Sequence, residues 1–233
     1  MKYISLKLFG VLISCLICVA AAQKQAKKLL VIGDSISIGY TPFLEKSLAP
    51  DFFVAHNPGN GGSTGRGVAS VEKWLDNRQW DIILFNFGLH DLVYKDSANK
   101  YDVVNGKVSV SLEEYRKNLE TIVGILRETT AKLYFVTTTT VPQNSAGRKV
   151  EDPAKYNAVA QEVMKKNGIE VIDLYSASLT IHPQNSKPGN VHYTPEGYEL
   201  LADLYAESNN AFNYANLFYG GRRKFAQIAN EVL

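Results

Sequence analysis

Leu29-Leu30-Val31-Ile32-Gly33-Asp34-Ser35 is the stretch of the sequence that decides the fold. Its four apolar residues run into Gly-Asp-Ser, and a helix-compatible segment containing Gly39 follows. The pattern is typical of a buried parallel strand that turns at its carboxyl end, where open α/β sheets place their chemistry. Two interpretations of Ser35 are open from these residues alone: a nucleophile activated by a base elsewhere in the chain, or a serine that caps the helix.

The N-terminal residues predict a secretory signal peptide. Lys2 and Lys7 precede an apolar run over residues 8–22, which is shorter than the roughly 20 residues needed to span a bilayer and ends in three alanines. We therefore predict a signal peptide over residues 1–22 and a secreted or periplasmic protein. The sequence Leu-Ile-Ser ahead of Cys15 also resembles a lipobox, so lipoprotein anchoring at Cys15 is the alternative, and without it we expect no membrane attachment.

Composition excludes several classes of function for the mature chain. Both cysteines, Cys15 and Cys18, lie in the predicted signal peptide, so a disulfide framework, a cysteine zinc site and a cysteine nucleophile are not expected after cleavage. The whole chain has 25 Lys and Arg residues against 23 Asp and Glu residues, and the signal peptide contains two of the lysines. A net charge near zero offers no electrostatic basis for binding nucleic acid.

Apolar strand-like segments alternate with helical patterns through the rest of the chain, without an internal repeat or a linker. This alternation predicts one three-layer α/β/α sandwich with a mostly parallel five-stranded sheet over residues 23–208, followed by a C-terminal extension over residues 209–233. Residues 93–110 are polar and aperiodic and predict a surface excursion. After the opening strand, the predicted strands cover residues 51–56, 81–87, 132–140 and 169–172, and the predicted helices cover residues 41–48, 68–76, 111–129 and 154–166 and begin again at 194.

Short motifs follow the strands in a particular order. They are Gly33-Asp34-Ser35, the glycine-rich loop 57–65, Gly88-Leu89-His90-Asp91, and Val191-His192 just before the last helix. In order, spacing and strand context they resemble the SGNH (GDSL-type) hydrolases over roughly residues 29–208. The resemblance implies a flavodoxin-like SGNH hydrolase fold and a serine esterase without a cofactor. We expect no metal site, because the remaining histidines, His56 and His182, lack partners at ligand spacing and are interpreted as structural.

The resemblance also assigns roles to individual residues. Ser35 matches the nucleophile, and its own N–H matches one oxyanion donor. Gly62 matches the second donor, since it lies five residues after Asn57 as the family glycine follows its loop asparagine. His192 matches the general base, which accepts the Ser35 proton and returns it to the leaving alcohol.

Two positions depart from the family pattern. His90 stands where the family has asparagine as the third oxyanion donor, and a neutral histidine can substitute by donating one N–H. Gly189 stands where the family has the triad aspartate, three residues before His192. The alternatives are a Ser–His dyad oriented by a backbone carbonyl, a carboxylate from elsewhere, or a crippled enzyme. Asn190 could orient the ring and Glu196 lies on the following helix; we favour the dyad, with slower turnover than a full triad.

Three aspartates near the motifs have structural interpretations. Asp34 is expected to order the nucleophile turn, Asp91 to cap its loop or line the pocket, and Asp173 to order the loop after the last strand. The extension 209–233 is rich in aromatic residues. It predicts a helix that packs on the domain or a poorly ordered tail, with a patch for a partner subunit or a glycan as the alternative.

The sequence therefore predicts a secreted serine esterase acting on a small-molecule or polysaccharide ester, most specifically a carbohydrate O-acetylesterase. A lipid or lysophospholipid esterase is the alternative within the same class. A non-catalytic carbohydrate-binding protein on a hydrolase fold is the alternative from another class. A phosphate-binding role for the glycine-rich loop is disfavoured, because the loop lacks the Gly-Lys-Ser/Thr ending of a P-loop.

Overall fold

Five parallel strands form the central sheet of the computed structural model, which describes residues 25–208. The strands are β1 (Lys27–Ile32), β2 (Phe52–His56), β3 (Ile82–Phe85), β6 (Lys132–Val136) and β7 (Glu170–Ile172), in the order β2-β1-β3-β6-β7. The helices are α1 (Ser35–Leu48), α2 (Thr64–Leu75), α3 (Leu112–Arg127), α4 (Asp152–Lys166), α5 (Leu174–Gln184) and α6 (Pro195–Ser208). The predicted α/β sandwich with a parallel five-stranded sheet is confirmed.

The apolar run that opens the domain lies in the middle of the sheet. Residues 29–32 are at most 2% exposed, since β1 is paired with β2 on one side and β3 on the other and is covered by helices on both faces. A parallel strand buried in this way needs apolar side chains on both faces, which explains the absence of alternation in its sequence. The carboxyl ends of β1, β2 and β3 lie at one edge, so the three loops that follow them meet there.

The helices form two layers. On one side α1 packs against α6, with the rings of Tyr40 and Tyr205 4.8 Å apart, and α6 contacts α5. On the other side α3 lies between α2 and α4, and its buried stripe includes Leu119, Ile122 and Leu126. Because α6 packs against α1, the segment just before α6 lies beside the beginning of α1. The topology thereby brings His192 to Ser35 across 157 residues of sequence.

The largest differences from the sequence prediction lie in three regions, besides shifts of four residues at the start of α2 and the end of β6. Helix α1 begins at Ser35 rather than at 41, because the side chain of Asp34 caps it there. Gly39 and two isoleucines have low helical propensity and obscured the first turns in the sequence. Helix α5 was not predicted, since Pro183 and several Ser and Thr residues lower its helical propensity. The excursion over residues 93–110 contains a short antiparallel ribbon, β4 (Tyr94–Lys95) and β5 (Lys107–Val108).

The predicted signal peptide and the C-terminal extension fall outside the described residues. Between residues 25 and 208, no helix has the length and apolar character required to cross a bilayer.

Candidate active site

Ser35 occupies the first position of α1, immediately after the carboxyl end of β1. The Asp34 carboxylate accepts the backbone N–H of Ile36 at 2.9 Å and caps the helix, as its predicted turn-ordering role requires. Asp34 is 1% exposed, whereas Ser35 is half-buried and reaches the surface. The cap therefore presents the Ser35 hydroxyl at the positive end of the helix dipole, where negative charge is stabilised.

His192 contacts Ser35 directly. Its Nε2 lies 2.9 Å from Ser35 Oγ, and its Nδ1 lies 2.8 Å from Oδ1 of Asn190. Since a side-chain amide oxygen can only accept, Nδ1 has the proton and donates it to Asn190. The Nε2 lone pair is then free to accept the Ser35 hydroxyl proton, which is the arrangement required of a general base.

The backbone fixes which end of the Asn190 amide faces the ring. The His192 N–H also donates to Asn190 Oδ1, at 3.0 Å. Rotating the amide by half a turn would place its NH₂ group against two N–H donors, so the amide oxygen faces the ring. The orienting group is thus the Asn190 side chain, which the sequence indicated as a possible orienting residue, and not the backbone carbonyl of the favoured dyad.

Gly189, which stands where the family has its triad aspartate, has a backbone conformation that favours glycine. Gly189 has φ of 69°, and a Cβ atom there would lie 3.1 Å from the carbonyl oxygen of Asn144. An aspartate at 189 would be strained in this conformation. Glu196 is exposed at the start of α6, and within residues 25–208 no hydrogen bond joins it to His192. Asn190 is the side chain that orients His192.

His182 supports the backbone of Asn190 through a hydrogen bond. Its Nε2–H donates to the backbone carbonyl of Asn190 at 2.7 Å, and its Nδ1 accepts the Ser186 hydroxyl at 3.1 Å. The ring is 3% exposed and packs edge-on to Tyr193 with 5.1 Å between centroids; burial lowers the pKa of His182. Sequence reasoning interpreted His182 as structural, because its link to the site is a hydrogen bond to a backbone atom that no side-chain pattern encodes.

The glycine-rich loop is tied to the nucleophile loop. Asn57 Oδ1 accepts the Gly33 N–H at 2.8 Å, and the Gly61 N–H donates to the Gly33 carbonyl at 2.8 Å. Gly62 follows with φ of 68°, but its N–H donates to Asn60 Oδ1 at 2.9 Å. The predicted second oxyanion donor is therefore occupied, and it can serve an oxyanion only if the Asn60 side chain releases or shares it.

Unlike the Gly62 N–H, the two other expected oxyanion donors are not occupied. The Ser35 N–H has no acceptor within the described residues, as expected at the first position of a capped helix. The His90 ring is half-buried and likewise has no hydrogen-bond partner in this range. Burial lowers the pKa of His90; the negative charge of Asp34 opposes this, and the charges of Arg148, Lys95 and His192 add to it. A neutral His90 keeps one N–H to donate.

Asp91 caps α2 rather than lining the pocket. Its Oδ1 accepts the backbone N–H of Thr64 at 2.8 Å and the Thr64 hydroxyl at 2.5 Å, while Ser63, the N-cap residue, makes no side-chain capping bond. Asp91 is fully buried, and burial raises its pKa to about 7 against the hydrogen bonds from Thr64, which lower it. Of the two predicted roles, capping is the one that the contacts support.

The remaining predicted positions lie outside this cluster. His56 Nε2 contacts Ser37 Oγ at 2.7 Å, and its Nδ1–H donates to the carbonyl of Asn57 at 2.7 Å. Asp173 caps α5 by accepting the Ser176 N–H at 3.1 Å. Both residues make local structural contacts, as the sequence suggested.

Comparisons with known proteins agree with this geometry. The sequence profile of the GDSL-like Lipase/Acylhydrolase family matches residues 31–200. An arylesterase from Vibrio mimicus is 23% identical over 201 residues, which cover 82% of this chain and 92% of that protein.

Solved structures of related fold include a lipase/acylhydrolase and an acetyl xylan esterase. A lipase/acylhydrolase from Enterococcus faecalis superposes with a TM-score of 0.64 at 22% identity, covering 80% of this chain and 96% of that one. An acetyl xylan esterase superposes with a TM-score of 0.63 at 16% identity, covering 78% and 98%. The chain belongs to the GDSL-like lipase/acylhydrolase family and is a serine hydrolase that acts on ester bonds.

Proposed function

We propose that this protein removes acetyl groups from carbohydrates through an acyl-enzyme formed on Ser35. The observation that carries the proposal is the contact of 2.9 Å between Ser35 Oγ and His192 Nε2, at the amino end of a capped helix. The acetyl xylan esterase of similar fold supports carbohydrate acetates as the substrate class.

Each step uses a group already in position. Ser35 Oγ attacks the ester carbonyl carbon while His192 Nε2 accepts the hydroxyl proton, and the carbonyl oxygen becomes an oxyanion beside the Ser35 N–H. As the intermediate collapses, His192 returns the proton to the departing alcohol oxygen. A water molecule then attacks the acetyl-Ser35 carbonyl, with His192 again accepting the proton, and acetate leaves as Ser35 regains its hydrogen.

Asn190 supplies orientation without charge. Its Oδ1 accepts the Nδ1–H both when His192 is neutral and when it is protonated, so the ring keeps its direction through the cycle. A carboxylate in this place would also stabilise the imidazolium that forms in the transition state. The neutral amide lacks this effect, and we expect lower turnover than in a relative with an acid at this place.

The oxyanion site combines one free donor with two conditional ones. The Ser35 N–H is free of acceptors within residues 25–208, whereas the Gly62 N–H must first be released by Asn60. The neutral ring of His90 supplies the third N–H. Removing one such donor typically reduces turnover by about 10²–10³-fold, so exchange of the Asn60 contact for the substrate oxygen is a step with a measurable consequence.

We also propose that the protein is exported, with residues 1–22 removed as a signal peptide. The two lysines, the apolar run and the three alanines support export. N-terminal sequencing of the mature protein should give Gln23. A lipid-modified Cys15 would establish the anchored alternative.

The test of the function is the release of acids from a panel of esters. We expect 4-nitrophenyl acetate and acetylated polysaccharides to be hydrolysed faster than longer acyl esters, with Ser35→Ala abolishing all turnover. Faster turnover of long acyl chains would favour a lipid esterase. Carbohydrate binding without any turnover that depends on Ser35 would favour a binding protein.

A further inference from the structure

Two surface segments join beside the candidate site. The excursion over residues 93–110 is anchored to the loop between β6 and α4 by the Tyr94 N–H, which donates to the carbonyl of Gly147 at 2.7 Å. The ring of Tyr101 covers Gly147 so closely that a Cβ atom there would lie 2.8 Å from the ring. The two segments therefore act as one wall.

Arg148 connects this wall to the catalytic loop. Its Nε–H donates to the carbonyl of Leu89 at 2.9 Å, and the next residue is His90. The guanidinium is half-buried and forms no ion pair within residues 25–208, and burial lowers its pKa. Its Nη1–H also donates to the carbonyl of Ala146 at 3.3 Å, so backbone carbonyls position the guanidinium while its positive charge is not neutralised by a carboxylate in this range.

Further positive charge lies on the same wall. Lys95 faces Lys107 across the β4–β5 ribbon, an arrangement of like charges that destabilises a strand pair. Lys149 lies 4.4 Å above the ring of Tyr94. None of these lysines forms an ion pair within the part of the chain that the structure describes, so their charges are available to a ligand.

The carboxylates of the excursion are occupied by their own loops. Asp96 Oδ1 accepts the backbone N–H groups of Ala98 and Lys100, both at 2.9 Å. Asp102 Oδ1 accepts those of Val104 and Asn105, also at 2.9 Å. One oxygen of each carboxylate therefore orders a turn of the excursion, and neither carboxylate forms an ion pair with a lysine of the wall within the described residues.

The wall is close to the reacting groups. Arg148 donates to the carbonyl of the residue before His90, and Lys95 adjoins Tyr94, whose N–H donates to the residue before Arg148. Burial is the main cause of the lowered pKa of His90, and the charges of Arg148 and Lys95 add to it. On the side of the glycine-rich loop, Arg66 lies over Gly62, with its Cδ 3.2 Å from where a Cβ of that glycine would be. Arg66 is exposed and also lacks an ion pair in the described range. Cations therefore flank the Ser35 site, although the mature chain has a predicted net charge near zero.

An aromatic ring accompanies these charges. Tyr101 is 59% exposed, although its edge packs on Gly147. The apolar face of such a ring is suited to stacking on the C–H face of a sugar, while neighbouring cations pair with anionic substituents. Cations and an exposed ring are thus presented together on one surface.

We propose that the cationic rim, defined as Arg66, Lys95, Arg148 and Lys149, binds carboxylates of an acidic polysaccharide that carries the ester, so that the substrate is an acetylated polymer containing uronic acids. This inference rests on the proposed esterase function and specifies its alcohol component. The rim extends over three segments, namely the start of α2, the excursion and the loop between β6 and α4, and over both sides of the site. A surface of this extent matches a polymer with repeated charges better than a single charge on a small acyl group.

The experiment compares acetylated polygalacturonate with acetylated xylan, which is neutral. At about 20 mM salt, we expect kcat/KM for acetate release to be at least about tenfold higher on the acidic polymer, with the preference lost by about 300 mM salt through screening. The paired substitution Lys95→Gln and Lys149→Gln should reduce the preference about tenfold, and Arg148→Gln should do the same. The matched control is Lys46→Gln, at the opposite end of α1 from Ser35, which should preserve it.

The assignment would be overturned by equal rates on both polymers with no salt dependence, or by rim variants that behave like Lys46→Gln. The assignment would also be overturned if the rim variants lost activity on 4-nitrophenyl hemisuccinate but kept the preference for the acidic polymer. The rim would then recognise a carboxylate in the acyl group.

Failure of the esterase proposal can be distinguished from failure of the rim proposal by calorimetry on Ser35→Ala. Unacetylated polygalacturonate should bind this variant, and binding should weaken when the rim lysines are also replaced. If no ester is hydrolysed but the polymer binds through the rim, only the esterase proposal fails. If esters are hydrolysed but the polymer does not bind, only the rim proposal fails.

Discussion

Two serine–histidine pairs lie two residues apart on α1, and their chemistry differs. In one, Ser35 Oγ is 2.9 Å from Nε2 of His192; in the other, Ser37 Oγ is 2.7 Å from Nε2 of His56. In both, the histidine Nδ1–H is donated to an oxygen, the Asn190 side chain or the Asn57 carbonyl. By distances alone, the second pair is as good a dyad as the first.

Access and hydrogen bonding separate the two pairs. Ser37 is 1% exposed, and its hydroxyl has a second acceptor, the Asp34 carbonyl at 2.8 Å. One hydroxyl proton thus serves two acceptors, His56 and Asp34, inside the fold. Ser35 is half-buried beside an exposed His192 and has no such competitor within the described residues. A short distance from serine Oγ to histidine Nε2 is therefore only one condition for a reactive dyad. The serine must also be accessible to solvent at the end of the helix.

The largest expected effect separates these serines directly. Ser35→Ala should lower kcat on 4-nitrophenyl acetate by about 10⁴-fold or more, because the nucleophile is lost. Ser37→Ala should keep kcat within about threefold, since its hydroxyl faces the interior. Comparable losses of kcat in both variants would contradict the claim that only the Ser35 pair is catalytic.

The orienting group gives the next effect. Asn190→Ala should lower kcat by between about 10- and 100-fold, since the Nδ1–H of His192 loses its acceptor and general-base catalysis weakens. Asn190→Asp keeps the acceptor and adds a charge that stabilises the protonated ring. In that variant the acidic limb of the kcat/KM profile should move to higher pH by about one unit. An unmoved limb together with full activity in Asn190→Ala would show that Asn190 does not act on His192.

His182 should act only through Asn190. His182→Leu is expected to lower kcat about fivefold with little change in KM, because the Asn190 carbonyl loses its donor. In an Asn190→Ala background, His182→Leu should cause no further loss of kcat. An additive loss would mean that His182 merely stabilises the fold, and urea unfolding of both single variants provides the control.

The smallest effect concerns stability. Burial lowers the pKa of His56 below its model-compound value of 6.5, against the Asn57 hydrogen bond and the Asp34 charge, which raise it. The contribution of neutral His56 to folding is therefore present above about pH 6.5 and is lost as the pH falls through the lower folded-state pKa. His56→Gln lacks this titration, so the difference in unfolding free energy by which wild type exceeds the variant should narrow between about pH 7.5 and about pH 5. Urea titrations at both pH values measure this difference, and a constant difference would mean that the pKa of His56 is the same in the folded and unfolded states.

The sequence predicted the parts of this site that lie on strongly patterned elements. The apolar run ending at Ser35 and the capped helix after His192 determine where the two side chains lie, and the parallel sheet brings them together. The hydrogen bonds behind His192 were only partly predicted, because the sequence indicated Asn190 as a possible orienting residue but gave no signal for His182. Gly189 marked a missing acid, but the contact of Asn190 depends on a turn whose φ of 69° is not written in the residue pattern.

Contacts to backbone atoms explain the other differences. His182 reaches a carbonyl, and the Gly62 N–H meets the side chain of Asn60, so neither contact follows from side-chain spacing. The cationic rim depends on segments that are distant in sequence. Lys95 and Arg148 are 53 positions apart, and their loops are joined by the backbone hydrogen bond from Tyr94 to Gly147.

The most direct test of the difference between the two pairs is covalent labelling with a 4-nitrophenyl phosphonate ester, followed by peptide mass spectrometry. Ser35 Oγ would attack phosphorus and release 4-nitrophenolate, leaving a stable adduct on that oxygen. We predict one adduct, on Ser35, formed at least about 100-fold more slowly in His192→Ala and at an unchanged rate in Ser37→Ala. An adduct on Ser37, or labelling of Ser35 that does not depend on His192, would contradict the account.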